Sequence, residues 1–168
     1  SPNLTWSMDF MHDTFAGGKQ FRSFNIIDDF NRESLNITID TSINSKRVIR
    51  ELEMLIEWRG RPDTLRVDNG PEFIAEDLKR WCREQGIELR FIQPGKPSQN
   101  AYIERFNRTY REEVLDNFII DDLEQARELT GAWMWVYNNK RPHSSLNRNT
   151  PVNFMLKYGY RHEAITGN

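Results

Sequence analysis

The alternation of apolar and polar residues in the first forty positions constrains the fold most strongly. Four apolar residues repeat at every second position, as in a strand with one buried face: Leu4, Trp6, Met8 and Phe10. After the turn at Gly17-Gly18, residues 21–28 and 35–39 form two further strand-like segments, which are joined by a polar turn. These forty residues therefore predict a three-stranded antiparallel meander.

Helix and strand patterns alternate in the next fifty residues. Apolar residues recur at helical spacing over 48–56 and again within 75–85, and Gly60 and Gly86 follow these two segments as terminators. Each predicted helix is followed by a short strand-like segment, at 64–67 and at 87–92. A meander that continues into βαβ crossovers predicts the α/β class, with a mixed five-stranded sheet and helices on both faces.

The C-terminal half is predicted to be helical after a loop at 94–98, which we expect to be mobile in the free protein. A long helix is predicted over 99–116, and a second begins after a capping aspartate, Asp121 or Asp122. Five side chains of the second helix are predicted to face inward: Leu123, Ala126, Leu129, Trp133 and Val136. Trp133 and Trp135 are interpreted as packing residues rather than a base-stacking platform.

Composition places the chain among ordinary globular proteins, with 38% hydrophobic and 29% charged residues and no apolar run of membrane-spanning length. The 168 residues are predicted to form a single domain whose upstream part is absent. The single cysteine, Cys82, is interpreted as a small core residue in a reducing compartment.

The net charge of -2 is unlike that of a typical nucleic-acid binder, but the charges are segregated along the chain. Residues 89–111 include five basic residues and one acid, whereas residues 112–128 include seven carboxylates and one arginine. The segregation permits a basic surface for DNA on a nearly neutral protein. An ordinary solvated surface explains it equally well.

Three acids stand where the predicted elements could bring them together. Asp9 lies within an apolar strand, Asp68 ends a short strand, and Glu104 lies in the first turns of a helix. Taken singly, they suit a surface residue, a turn and a solvated glutamate. Taken together, they offer the hard oxygen ligands that Mg²⁺ or Mn²⁺ prefers. Asn100, Arg108 and Arg111 share the helix face of Glu104, which would place basic groups beside a metal-bound phosphate.

The sequence around these acids resembles integrase-type transposases of bacterial insertion sequences. The similar segments are WSMDF at Asp9, IIDDFNRESL, VDNGPEF at Asp68, PGKPSQNAYIERFNRTYREEVLD at Glu104 and YNNKRPHSSLNRNTPVNF. Thirty-five residues separate Asp68 from Glu104, as in the Asp-Asp-Glu signature of retroviral integrases and these transposases. The resemblance extends over residues 4–157.

The resemblance implies a ribonuclease-H-like fold in which Asp9, Asp68 and Glu104 bind two divalent ions, Mg²⁺ or Mn²⁺. It implies cleavage of DNA at element ends and joining of the freed 3′-hydroxyl to target DNA, in the bacterial cytoplasm at the nucleoid. It also implies a dimer or higher multimer on DNA, with no membrane partner, and an upstream DNA-binding part that is absent from this chain. The residues expected to contact DNA are Lys96, Asn100, Arg105, Arg108, Arg111, Lys140 and Arg141.

Two alternatives stay open: a ribonuclease-H-like nuclease that cleaves without joining, and a non-enzymatic DNA-binding module derived from a transposase. Asp28 and Asp29 are assigned structural roles, and His143 is expected to organise the loop after the last long helix. His12 is left unassigned.

Overall fold

The computed structural model describes residues 1–159, whose five strands form one mixed sheet in the order β3-β2-β1-β4-β5. The strands are β1 (Thr5–Thr14), β2 (Gln20–Asp28), β3 (Ser34–Asp40), β4 (Thr64–Val67) and β5 (Glu88–Phe91). The β1–β2 and β2–β3 pairs are antiparallel, whereas β4 runs parallel to β1 and β5 parallel to β4. The predicted meander and the two crossovers are confirmed. The predicted domain end at residue 168 lies outside the described residues.

Five α-helices accompany the sheet, and local capping chemistry explains the start of one and the end of another. They are α1 (Ser45–Arg59), α2 (Glu76–Gln85), α3 (Ala101–Tyr110), α4 (Leu123–Asn139) and α5 (Pro151–Phe154). The Asp122 carboxylate accepts a hydrogen bond from the backbone N–H of Gln125 at 2.8 Å, which confirms the predicted cap of α4. Gly86 ends α2 in the left-handed region, at φ 69°. Over residues 1–159, no helix combines the length and apolarity needed to cross a membrane.

Helices cover both faces of the sheet, each with its own buried cluster. On one face, Trp6, Met8 and Phe24 pack with residues of α1 and α2. On the other face, Met11, Phe21 and Ile27 pack with the apolar stripe of α3, which is Ile103, Phe106 and Tyr110. Full burial of one large apolar side chain contributes about 1.5–3 kcal/mol, so the second cluster holds α3 firmly on the sheet. Cys82 is buried in the first cluster, where burial raises the pKa of its thiol to about 11.

The predicted helix over 99–116 is corrected in two respects. A 3₁₀ turn over Pro97–Asn100 precedes α3, so the irregular loop ends earlier than predicted because Pro97 begins the turn. After Tyr110 the chain widens into a π turn over Arg111–Leu115, in which the N–H of Asp116 donates to the Arg111 carbonyl at 2.8 Å. The helical path is continuous, but α3 itself spans ten residues.

The predicted inner face of α4 is wrong at Val136, and the packing role of Trp135 is also wrong. Trp135 is 57% exposed and Val136 is 49% exposed, whereas Tyr137 is buried. The reason is helical spacing, because Tyr137 follows the partly buried Trp133 by one turn on the same side of α4. Trp133 packs edge-on against Phe106, with ring centroids 5.6 Å apart, so its predicted packing role is confirmed.

Asp28, Asp29 and His143 have structural contacts, as predicted. Asp28 is fully buried, and its Oδ2 lies 2.9 Å from Nη2 of Arg59. Asp29 accepts a hydrogen bond from the Ser7 hydroxyl at 2.7 Å. The His143 backbone N–H donates to the Asn149 carbonyl at 3.1 Å, which closes the loop that follows α4.

Candidate active site

β1 extends beyond the end of its parallel neighbour β4, and Asp9 and Asp68 lie at the point where β4 ends. The parallel pairing of these strands reaches Ser7 opposite Arg66, and β4 ends at Val67, while β1 continues to Thr14. Asp68 is therefore the first residue beyond β4 and lies alongside Asp9. Asp9 stands in the middle of β1, at the point where its parallel neighbour ends. Free space at the carboxyl end of a parallel strand is the usual position for a ligand in such sheets.

The Asp9 carboxyl group lies in an environment that opposes its ionisation. Burial raises its pKa most, and the charge of Asp68 raises it further, to about 7. Hydrogen bonds from the Phe10 N–H at 2.9 Å and from Asn107 act in the opposite direction. Two adjacent carboxylates, one of them in a poorly solvated position, form a site where a divalent cation would relieve electrostatic repulsion.

The turn after β4 holds Asp68 in place. The N–H of Gly70 donates to Oδ1 of Asp68 at 2.8 Å, which leaves the other carboxylate oxygen for a further partner. A Cβ atom at position 70 would lie 3.0 Å from the same Oδ1. The Asp-Asn-Gly triplet is therefore a turn, as its sequence alone suggests, and the close approach of this backbone to the carboxylate favours glycine at position 70.

Asn107 contacts the acid pair, although the sequence analysis did not select it. Its Nδ2 donates to Oδ2 of Asp9 at 2.9 Å, and its Oδ1 accepts a hydrogen bond from Nδ2 of Asn25 at 2.8 Å. Asn25 is fully buried on β2 and pairs with Asp9 in the strand register. A signal was present in the sequence, because Asn107 follows Glu104 by three positions and so shares its side of the helix.

Glu104 is not brought together with the two aspartates. Its side chain is exposed and takes part in no hydrogen bond or ion pair among residues 1–159. Within the same residues, no three Asp, Glu, His or Cys side chains lie close enough together to hold a metal ion. Asn107, which donates to Asp9, nevertheless follows Glu104 by one helical turn. Glu104 therefore lies on the side of α3 that faces Asp9 and Asp68.

An open cavity of about 470 Å³ gives access to both aspartates. Its wall includes an ion pair between Arg22 and Glu72, whose Nη1 and Oε1 atoms lie 2.7 Å apart. The Arg22 guanidinium also lies over the Phe10 ring, 4.0 Å from the centroid. The cavity thus combines the acid pair with one fixed cation, and it is large enough to admit a phosphate group beside the carboxylates.

The fit to a divalent ion rests on the chemistry of these donors. Asp9 and Asp68 supply hard carboxylate oxygens, and burial together with the charge of Asp68 raises the pKa of Asp9. Mg²⁺ binds one or two carboxylates and keeps waters or substrate oxygens as its other ligands. The pair fits that requirement, and Glu104 is the third acid that the sequence resemblance implies.

The residues expected to contact DNA occupy different environments. Lys96 and Arg108 are exposed. Arg111 lies 3.4 Å from Asp13 and 3.5 Å from Asp116, and it donates to the His12 carbonyl at 2.9 Å. Asn100 is 3% exposed, so contact between its side chain and DNA would require the preceding turn to move.

The remaining candidates lie around the C-terminal end of α4. The Nζ atom of Lys140 is 5.8 Å from the centroid of the Trp135 ring. Arg141 donates to both carboxylate oxygens of Glu113, at 2.7 Å for Oε2. Arg105 and Arg141 line one cavity, which does not include the acid pair.

Comparison of the sequence with known families gives one consistent description. Residues 1–97 match the integrase core domain, and residues 85–151 match a second family with the same description. The chain is 43% identical to an uncharacterised insertion element IS476 protein of Xanthomonas euvesicatoria, over 94% of the chain and 45% of that protein. It is 40% identical to an uncharacterised insertion element IS407 protein of Burkholderia multivorans, over 94% of the chain and 57% of that protein.

A relative named as a transposase is more distant. The chain is 23% identical to the transposase for insertion sequence element IS904 of Lactococcus lactis, over 92% of the chain and 62% of that protein. The chain spans about half the length of the IS476 and IS407 proteins that it matches.

Solved structures resemble the fold. The HTLV-2 integrase catalytic core domain, whose structure is in complex with magnesium, superposes with a TM-score of 0.69 and 18% identity. The superposition covers 91% of this chain and 96% of that domain. The ribonuclease-H-like arrangement implied by the sequence resemblance is therefore confirmed at the level of the fold.

Proposed function

The chain belongs to the integrase core domain family, and we propose that it is the catalytic core of an insertion-element transposase that cleaves and joins DNA. The observation that carries this proposal is the adjacency of Asp9 and Asp68 where β4 ends, with the pKa of Asp9 raised to about 7. Two adjacent carboxylates suit a divalent cation better than they suit a structural ion pair with one basic side chain. The insertion-element relatives support the choice of DNA as the substrate.

In the proposed mechanism, Asp9 and Asp68 hold Mg²⁺ or Mn²⁺, with Glu104 as the third acid for a two-ion site. Ions bound there would supply Lewis acidity at the attacking and leaving oxygens of an in-line displacement at phosphorus. Asn107 orients the Asp9 carboxylate through its hydrogen bond, and Gly70 fixes one oxygen of Asp68. Side-chain motion of the exposed Glu104 about its helical position would bring it to the pair.

Basic residues on the flank of Glu104 would hold the DNA backbone. Arg108 follows Glu104 by one turn, and its exposed guanidinium is available to a phosphate. Arg111 would exchange its half-exposed contacts with Asp13 and Asp116 for a phosphate contact. Surface ion pairs of this kind contribute at most about 1 kcal/mol, so the exchange costs little.

We further propose that the working protein is a multimer on DNA in the bacterial cytoplasm, and that recognition of the element ends lies outside this chain. The greater length of the insertion-element relatives supports the last point.

A cleavage and strand-transfer assay tests the proposal, using the full-length protein that carries this chain and duplexes with its own element ends. Asp68→Asn should abolish cleavage and joining in Mg²⁺. The matched control is Asp63→Asn, at the exposed position just before β4, which should retain both activities. Wild-type cleavage without joining would favour the nuclease alternative. Binding of element ends without either reaction in Mg²⁺ or Mn²⁺ would favour the non-enzymatic module.

A further inference from the structure

A second cavity, of about 380 Å³, lies beside α3 and the segment that follows α4. Three arginines from distant parts of the chain meet there: Arg32 from the β2–β3 turn, Arg105 from α3 and Arg141 from the end of α4. Tyr102, Thr109 and His143 also line it. The arrangement is a feature of the tertiary structure, because no two of the three arginines are neighbours in sequence.

This cavity is separate from the acid pair. Tyr102, Arg105 and Thr109 share one flank of α3, whereas Glu104 and Asn107 occupy a flank roughly half a turn away. The apolar stripe of α3 lies between the two flanks and packs on the sheet. No residue lines both this cavity and the one that contains Asp9 and Asp68.

Positive charge dominates the second cavity. No carboxylate is among its lining residues. Arg141 is held by Glu113, which is outside the lining, while Arg105 makes no ion pair within the part of the chain that the structure describes. Arg32 lies over the Tyr102 ring, with its guanidinium carbon 3.7 Å from the centroid, and donates to the Asp29 carbonyl. Stacking and these fixed partners orient two of the three guanidinium groups before any ligand arrives.

The three arginines also affect the pKa of His143. Burial lowers the pKa of its imidazole most, and Arg141, Arg105 and Arg32 lower it further, to about 4. Its Nε2 is buried and has no hydrogen-bond partner among residues 1–159. The imidazole therefore stays neutral at physiological pH and adds no charge of its own. An anion in the cavity would offset the three guanidinium charges and raise the pKa of His143.

We propose that this cavity is a phosphate-binding site that holds a backbone phosphodiester of DNA on the flank of α3 away from the acid pair. The identity of the ligand as DNA rests on the proposed function. Guanidinium forks match the geometry of phosphate oxygens. The Thr109 hydroxyl already donates to the Arg105 carbonyl at 3.1 Å, so the guanidinium groups are the donors for the ligand. Arg108 lies on the solvent-facing side of α3 between the two flanks, so DNA bound at both sites would pass over it.

The first test measures binding of a labelled duplex to the chain in EDTA over a range of salt concentrations. Arg105→Gln is compared with Arg80→Gln, which removes the same charge from an exposed position on α2, across the sheet. Arg105→Gln should weaken binding about three- to tenfold and make the slope of log K against log salt shallower by about one unit. Arg80→Gln should match the wild type. Equal salt slopes for the two variants would overturn the proposal.

The second test follows the His143 imidazole by NMR, with its signal assigned through His143→Gln. Inorganic phosphate and a DNA duplex are added separately in EDTA. Both should raise the pKa of His143 in the wild type, and Arg105→Gln should reduce both shifts. A response to inorganic phosphate but not to duplex would overturn the assignment to DNA. Because neither measurement requires catalysis, failure of the strand-transfer assay would leave these results unchanged and would count against the proposed function alone.

Discussion

Asn107 donates a hydrogen bond from its Nδ2 to Oδ2 of Asp9 at 2.9 Å, and this bond ties α3 to the centre of β1. Asn25 donates to the other end of the same amide, so the orientation of the Asn107 side chain is fixed from β2. The apolar stripe of α3 brings the helix to the sheet, and the two amides add a specific polar contact at the acid pair. Glu104 lies one turn before that contact, so the bond also helps to set the position of Glu104 relative to Asp9.

Loss of this bond should shift the ionisation of Asp9. In Asn107→Ala the carboxylate loses a donor that lowers its pKa, so the pKa should rise above about 7. The pH profile of metal-dependent cleavage should move to higher pH, with about 1 kcal/mol lost from the free energy of unfolding. Cleavage rates between pH 6 and 9 measure the shift. Asn117→Ala, at an exposed position after the π turn, is the control, and an unchanged profile in Asn107→Ala would exclude the orienting role.

The raised pKa of Asp9 also predicts how stability depends on pH. Folded Asp9 keeps its proton up to about pH 7, whereas unfolded Asp9 loses it near 3.8. The folded state therefore binds more protons between these values, and the free energy of unfolding should fall as pH rises from about 4 to about 7, then level off. After allowance for solvent screening, the fall should be on the order of 1–2 kcal/mol.

Asp9→Asn should remove that dependence. In metal-free buffer the variant should equal the wild type near pH 4 and exceed it in stability at pH 8. Urea unfolding at several pH values measures this, with Asp63→Asn as the exposed control. Parallel curves for Asp9→Asn and the wild type would contradict the assignment. Mg²⁺ at pH 8 should raise the thermal midpoint of the wild type more than that of Asp9→Asn, because a cation relieves the repulsion from Asp68.

The sequence predicted the elements better than it predicted contacts between them. Alternation in β1 identified the face that carries the buried Trp6 and Met8. However, Leu4 is 53% exposed and the opposite face is buried as well, at Met11.

Asp122 and Gly86 marked helix ends because capping is a local property. Trp135 was misplaced because its large apolar ring suggested burial, although its position on α4 points away from the stripe that contains Tyr137.

The acid pair was predictable because each aspartate has a definite position relative to a strand. The contact of Asn107 with Asp9 was not predicted, because its spacing from Glu104 shows a shared helix side but not which side chain reaches Asp9. The convergence of Arg32 with Arg105 was also missed, because it depends on how the β2–β3 turn packs against α3.

The buried ion pair of Asp28 with Arg59 predicts a large effect on stability. Asp28 is fully buried and also accepts hydrogen bonds from the N–H groups of Asn3 and Phe30, each at 3.0 Å. Arg59→Met would leave this carboxylate without its cation and should cost about 3 kcal/mol of the free energy of unfolding. Arg50→Met, at an exposed position on α1, should cost less than about 0.5 kcal/mol by urea unfolding. Adding Asp28→Asn to Arg59→Met should recover part of the loss, and equal losses for Arg59→Met and Arg50→Met would refute the argument.

Glu104→Gln separates a catalytic role of Glu104 from a structural one. The side chain is exposed and lacks any hydrogen bond or ion pair over residues 1–159, so substitution should change the free energy of unfolding by less than about 0.5 kcal/mol in metal-free buffer. Cleavage and joining in Mg²⁺ should fall more than about 100-fold, since loss of even an outer-shell partner of a metal ligand reduces activity by 10–100-fold. Glu112→Gln removes the same charge from an exposed position two turns later and should retain both activities. The stability measurement excludes unfolding as the cause of any loss of activity. Full activity in Glu104→Gln would contradict the prediction and show that Asp9 and Asp68 act without Glu104.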